Sequence, residues 1–131
     1  MDIAYLCLLI ACLLPIVCAG LAKRAGMGRR RSEGGFDNHN PRAWMAGLEG
    51  RAARANAAQQ NGFEALPIFI AGVLVARQAG VAEGLVDALA TAFIGFRVAY
   101  IACYLADAAT LRSLCWAAGM ACCIALFVMA L

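Results

Sequence analysis

Apolar residues in this chain come in long uninterrupted runs rather than in the alternation of half-buried strands, so helices are predicted throughout. From Ile3 to Leu21 there are nineteen residues without a charge, enough for one helix to cross a bilayer, with a kink expected near Pro15. A second helix is predicted from Pro41 to Arg77, with Asn40 as its N-cap and Pro41 at its first position. At 1.5 Å per residue it would measure roughly 55 Å, which exceeds a bilayer core. Its polar first half must therefore project from the membrane or break, at Gly47 or Gly50, and the membrane boundary falls near Ala57. Ala79-Gly80 closes this helix. The next runs from Gly84 to Ala106, and after a tight connection over 107–110 the last apolar run ends the chain. The expectation is an all-α, four-transmembrane-helix bundle forming a single domain over 1–131. Its spans lie at about 3–22, 57–77, 84–106 and 112–131, and its one long connection, 23–40, is rich in Gly, Arg, Ser and Asn and expected to be mobile.

Composition supports lipid as the solvent. Hydrophobic residues make up 64% of the chain and charged residues 15%, against about 25% charged in an average soluble domain. Eight of the eleven Lys and Arg residues fall between Lys23 and Arg54, so the connection is expected to be cytoplasmic and both termini outside. Its arginines can meet anionic headgroups. No aromatic platform or recognisable fold accompanies Arg29-Arg30-Arg31, so nucleic-acid binding is not expected. Asp2 reads against a secretory leader, whose start should be basic, and Val17 is too large for a lipoprotein cleavage box before Cys18. The seven cysteines all lie in apolar segments without a Cys-x-x-Cys pair, so they read as packing residues rather than disulfides or metal ligands. The single histidine, His39, reads as a surface loop residue.

The polar residues that interrupt the apolar pattern carry the chemistry. Arg54, Asn61 and Glu64 stand at i, i+7 and i+10, within one helical face, and ionisable groups at membrane depth point to function by default. Antiparallel packing of the second and third spans would put Glu64 and Arg97 at one depth, which predicts a direct ion pair. Arg97, Tyr100 and Tyr104, at i, i+3 and i+7, form a donor-rich wall suited to an anionic ligand, and Arg112 can complete a positive rim. Burying all these donors in one bundle would leave some unpaired, so a cleft shared with a neighbouring copy is expected.

At these residues the sequence resembles the MAPEG family, the membrane-associated proteins of eicosanoid and glutathione metabolism. Gln59, Asn61, Glu64 and Pro67 keep the spacing of the family's second-helix motif, and Arg97-x-x-Tyr100-x-x-x-Tyr104 matches that of its third. Arg112 meets the basic residue of the following connection, and the likeness spans nearly the whole chain. The pattern departs where family members carry an arginine four residues before the Asn, here Ala57, and an aromatic after the Glu, here Ala65. The resemblance implies a homotrimer in a bacterial inner membrane, with glutathione as co-substrate held between subunits by arginines and tyrosines. Arg112 would hold the thiol as thiolate, and Arg54, Gln59, Asn61, Glu64, Arg97, Tyr100 and Tyr104 would bind or orient ligands; no metal is implied. The leading function is then a glutathione-dependent transferase or peroxidase acting on lipophilic electrophiles that arrive through the bilayer. A non-catalytic accessory subunit is the alternative, and a small multidrug transporter stands third, since this first span lacks the membrane glutamate such proteins place there.

Overall fold

The computed structural model describes residues 2–131; Met1 alone lies outside them. The described residues form five α-helices and no strand: α1 (Ile3–Lys23), α2 (Pro41–Ala46), α3 (Gly50–Gln78), α4 (Glu83–Leu105) and α5 (Ala109–Ala130). Four of them are long and run antiparallel to their sequence neighbours. Around the bundle the order is α1, α3, α5, α4, and α3 also meets α4 across the diagonal. The stretch 3–26 (α1 with its 3-10 extension), α4 and α5 are each long and apolar enough to cross a membrane.

Chain ends and turns set these limits. Asp2 caps α1 by accepting from the Tyr5 N–H at 3.1 Å. At the end of α3, Gly80 takes φ +77°, and Val81 N–H donates back to the Ala76 carbonyl while Gly80 N–H donates to Arg77, the Schellman arrangement. Asp107, at φ +59°, closes α4 in the same way, with Ala108 N–H on the Cys103 carbonyl. The predicted long second helix does break, between Ala46 and Gly50, where Gly50 has φ +58°. Asn40 occupies the cap position of α2 with Pro41 inside the first turn, although the asparagine side chain makes no capping bond.

The core is apolar and tightly layered. Phe69 of α3 stacks on Phe93 of α4 with ring centroids 3.9 Å apart, within a cluster that includes Val73, Val86, Cys123 and Leu126. All seven cysteines are free, and Cys7, Cys18, Cys122 and Cys123 are buried, in keeping with a packing role. Helix α1 runs unbroken through Pro15. The ring of Pro15 lies against Gly62 of α3, where an added Cβ would stand 2.8 Å from the Pro15 Cγ.

Two features were not foreseen. The connection after α1, expected to be mobile, is folded: Lys23 sits over the Phe36 ring at 4.8 Å, and Phe36 meets Trp44 edge-on at 5.2 Å. The Trp44 Nε1–H donates to the Gly34 carbonyl, and Met45 is buried beside Ala22 and Ala55. Two aromatics and a methionine give this glycine-rich segment enough apolar surface to settle on the bundle. At the opposite end Arg77 Nη2 contacts Asp2 at 2.9 Å and Asp87 at 2.8 Å, and Nη1 lies 3.8 Å from Glu83. Asp87 also accepts from the Ala4 N–H. One half-buried arginine thereby ties together α1, α3 and α4.

Gly62→Ala should cost about 1–3 kcal/mol through overpacking at the α1–α3 crossing, read as a lowered thermal midpoint in detergent. Gly95→Ala, where the added methyl meets nothing within 4 Å, should not destabilise. Removing the hub by Arg77→Gln should leave facing carboxylates unpaired and cost roughly 1–3 kcal/mol, below the 3–5 of a fully dry pair, because water reaches this cluster. Its stability loss should shrink in Arg77→Gln/Asp87→Asn.

Candidate functional site

Arg97 is the polar centre of the bundle. It projects from α4 with 5% of its surface exposed, and its side chain faces inward because helical spacing places it on the core side with Phe93 and Tyr100. Its Nη1 donates to Asn61 Oδ1 of α3 at 2.9 Å. Its guanidinium lies over the Tyr100 ring, 4.3 Å from the centroid. Nη2 is buried without a protein partner, beside a small cavity bounded by Pro15, Ala58, Gly62 and Phe93.

The expected Arg97–Glu64 ion pair is not formed. Asn61 stands between the two residues, accepting from Arg97 and donating through Nδ2 to Glu64 Oε2 at 3.2 Å. Glu64, a turn beyond Asn61, is rotated to the exposed outer face of α3. Position along the axis was matched, but the angle around α3 gives the buried place to the shorter amide.

From Arg97 the polar chain continues toward the α4–α5 turn. Tyr100 meets Tyr104 edge-on with centroids 5.6 Å apart, and the Arg112 guanidinium lies over Tyr104 at 4.4 Å. Tyr100, Tyr104 and Arg112 line an open cleft of about 220 Å³ together with Ser113 and Trp116. No acidic side chain pairs with Arg112 among the described residues, so its charge is directed at the cleft. Six of the eight candidate residues thus form one contiguous path: Glu64, Asn61, Arg97, Tyr100, Tyr104 and Arg112.

The other two lie off this path. Arg54 Nη2 donates to the Leu105 carbonyl at 3.4 Å, which satisfies an orphan acceptor at the end of α4. Gln59 lines a separate groove beside α1 and α2. Ser113 and Trp116 were missed by the sequence reading. Trp116 follows Arg112 by four residues and so shares its helical face, a signal that was available.

A protein-family model, described as the MAPEG family, matches residues 3–131. The chain belongs to the MAPEG family. No curated protein and no solved structure matches it. Membership, with three helices long and apolar enough to span, makes this MAPEG chain an integral membrane protein of the family of glutathione and eicosanoid metabolism. MAPEG proteins generally use glutathione, which gives the tyrosine–arginine cleft a chemical context.

Asn61→Leu should strip Arg97 of its one side-chain acceptor among the described residues and lower stability by about 1.5–3 kcal/mol, the worth of a hydrogen bond to a charged group. Denaturant unfolding in detergent would measure it. Asn61→Leu/Arg97→Leu should recover part of the loss, because neither partner then leaves an unmet polar group.

Proposed function

We propose that this protein is a glutathione-dependent transferase or peroxidase acting on lipophilic electrophiles. The observation that carries the reading is the cleft at the α4–α5 turn, where Arg112, with no acidic partner among the described residues, faces open space beside Tyr104 and Tyr100. A cation in such a place favours thiolate over thiol. Arg112 would hold the glutathione sulfur as thiolate, its proton passing to solvent, and the tyrosine hydroxyls would donate to the tripeptide. The sulfur then forms the new bond to the electrophile while the leaving group departs with its electron pair. In this reading Arg97 and Asn61 position the tyrosine wall from within the bundle and do not touch substrate.

The exposed carboxylate of Glu64, one residue before the apolar second half of α3 begins, supports assembly as a homotrimer, in which a neighbouring copy would cover it and complete the site. All four long helices would span, α3 from about residue 57, with the loop 23–40 at the cytoplasmic face of a bacterial inner membrane, as the clustered cations favour.

An accessory subunit without catalysis is favoured by one observation. Where family members carry an arginine this chain has Ala57, and Arg54, one turn away, is engaged with the Leu105 carbonyl rather than turned to the cleft.

Glutathione binding should raise the thermal midpoint by mass action, by about 2.7 kcal/mol in stability at a hundredfold excess over Kd. Binding should bring thiolate absorbance in the ultraviolet, which Arg112→Gln should abolish while leaving the fold intact. If saturating glutathione leaves the melting curve unmoved and no thiolate appears, the transferase reading falls and the accessory reading replaces it.

A further inference from the structure

Arg97 holds one donor that its protein neighbours leave unmet, and the first helix holds an acceptor to match. Nη2 of Arg97 is buried without a protein partner, in a residue only 5% exposed. On α1, Pro15 lies inside the helix and has no N–H, so the carbonyl of Ala11, four residues earlier, loses its regular donor. Arg97, Ala11 and Pro15 all line one small cavity, bounded on the α3 side by Ala58 and Gly62. Those two stand one turn apart on the same face of α3 and are small enough to leave the space open. A charged donor and a proline-freed acceptor thus border a common cavity from different helices.

The cavity measures about 10 Å³, the room of a single water molecule. We infer that it is a binding site for one water, which accepts from Arg97 Nη2 and donates to the Ala11 carbonyl. An unmet donor on a charged group costs more than ordering a water, which weighs against a dry cavity. Cavities that stay dry are lined by hydrocarbon, and this one has a guanidinium in its wall. A halide would answer the charge of Arg97, but the same cavity would set it against the carbonyl oxygen of Ala11. The charge also has its counterpart elsewhere, because Asn61 joins Arg97 to the carboxylate of Glu64. Water accepts at one wall and donates at the other, which a halide cannot do. It connects α1 to α4 at the depth where the Arg97–Asn61 bond connects α4 to α3. The inference stands apart from glutathione chemistry, since none of Tyr100, Tyr104 and Arg112 lines the cavity.

Electron cryomicroscopy of the purified full-length assembly, at a resolution that shows ordered water, tests this. One density peak should lie within hydrogen-bonding distance of both Arg97 Nη2 and the Ala11 carbonyl. A cavity without density overturns the proposal. So does a peak that anomalous diffraction, from crystals grown in bromide, assigns to the halide. A pair of near-equal substitutions reads the same question from stability. Ala58→Ser and Ala58→Cys add similar volume at the cavity wall, but only the hydroxyl can stand in for the water's hydrogen bonds. The serine variant should melt about 3–5 °C above the cysteine variant, the span of one net hydrogen bond in a chain of this length. In a dry cavity the order reverses, because the thiol fills apolar space while the hydroxyl is buried unmet. A cysteine variant as stable as the serine variant, or more stable, therefore overturns the proposal.

Discussion

A guanidinium shut inside a bundle of apolar helices must find its partners within the protein, because lipid offers none. Arg97 finds a single amide oxygen and the face of a tyrosine. That requirement governs much else in the structure. It draws α3 and α4 together across the bundle diagonal, fixes the rotation of α3 so that Asn61 points inward, and leaves Glu64 on the outer face, tethered through the same asparagine. It also fixes Tyr100, whose ring is held against the charge, and through Tyr100 the wall that ends at Arg112. An arginine of this kind contributes little net stability. What it supplies is one defined rotation of each helix about its axis, which apolar contacts alone specify loosely.

Much of this was legible in the sequence, and the parts that were not share a cause. Long apolar runs, two of them free of charge, with Gly80 and the 107–110 segment marking the turns, predicted the helices and their antiparallel order. Spacing alone put Arg97, Tyr100 and Tyr104 on one face. Depth was readable from distance to a turn, and so Glu64 and Arg97 were rightly placed at one level. Rotation about the helix axis was not, because the apolar residues of α3 are spread around its circumference and offer no clear inward stripe. A 60° difference between Asn61 and Glu64 decides which reaches Arg97, and only packing settles it. The Arg77 cluster was hidden for another reason. Arg77 and Asp87 are each five residues from Ala82 and so face each other across the turn, but Asp2 joins them from the other end of the sequence.

The folded loop shows how composition can mislead. Glycines and arginines between residues 23 and 40 read as a flexible tether, yet Phe36, Trp44 and Met45 anchor the chain there, with Arg31 paired to Asp37 at 3.1 Å. Gly26 and Gly35 are consequences of that anchoring. A Cβ at Gly26 would stand 2.5 Å from the Trp44 ring, and one at Gly35 would run into the Arg29 carbonyl. Those glycines permit close approach rather than motion.

The two charged ends of the bundle differ in sign. Eight loop and helix-start cations with Arg112, set against Glu33, Asp37, Glu49 and Asp107, leave the loop end with a side-chain charge of +5; Arg77 against Asp2, Glu83 and Asp87 leaves the other at −2. The molecule is therefore a fixed electric dipole along its own long axis. In an energised membrane each such charge contributes about 2.3 kcal/mol per 100 mV to the choice of orientation. A transmembrane voltage would act on both ends in the same sense, and the orientation it favours is the one with the basic loop on the electrically negative side.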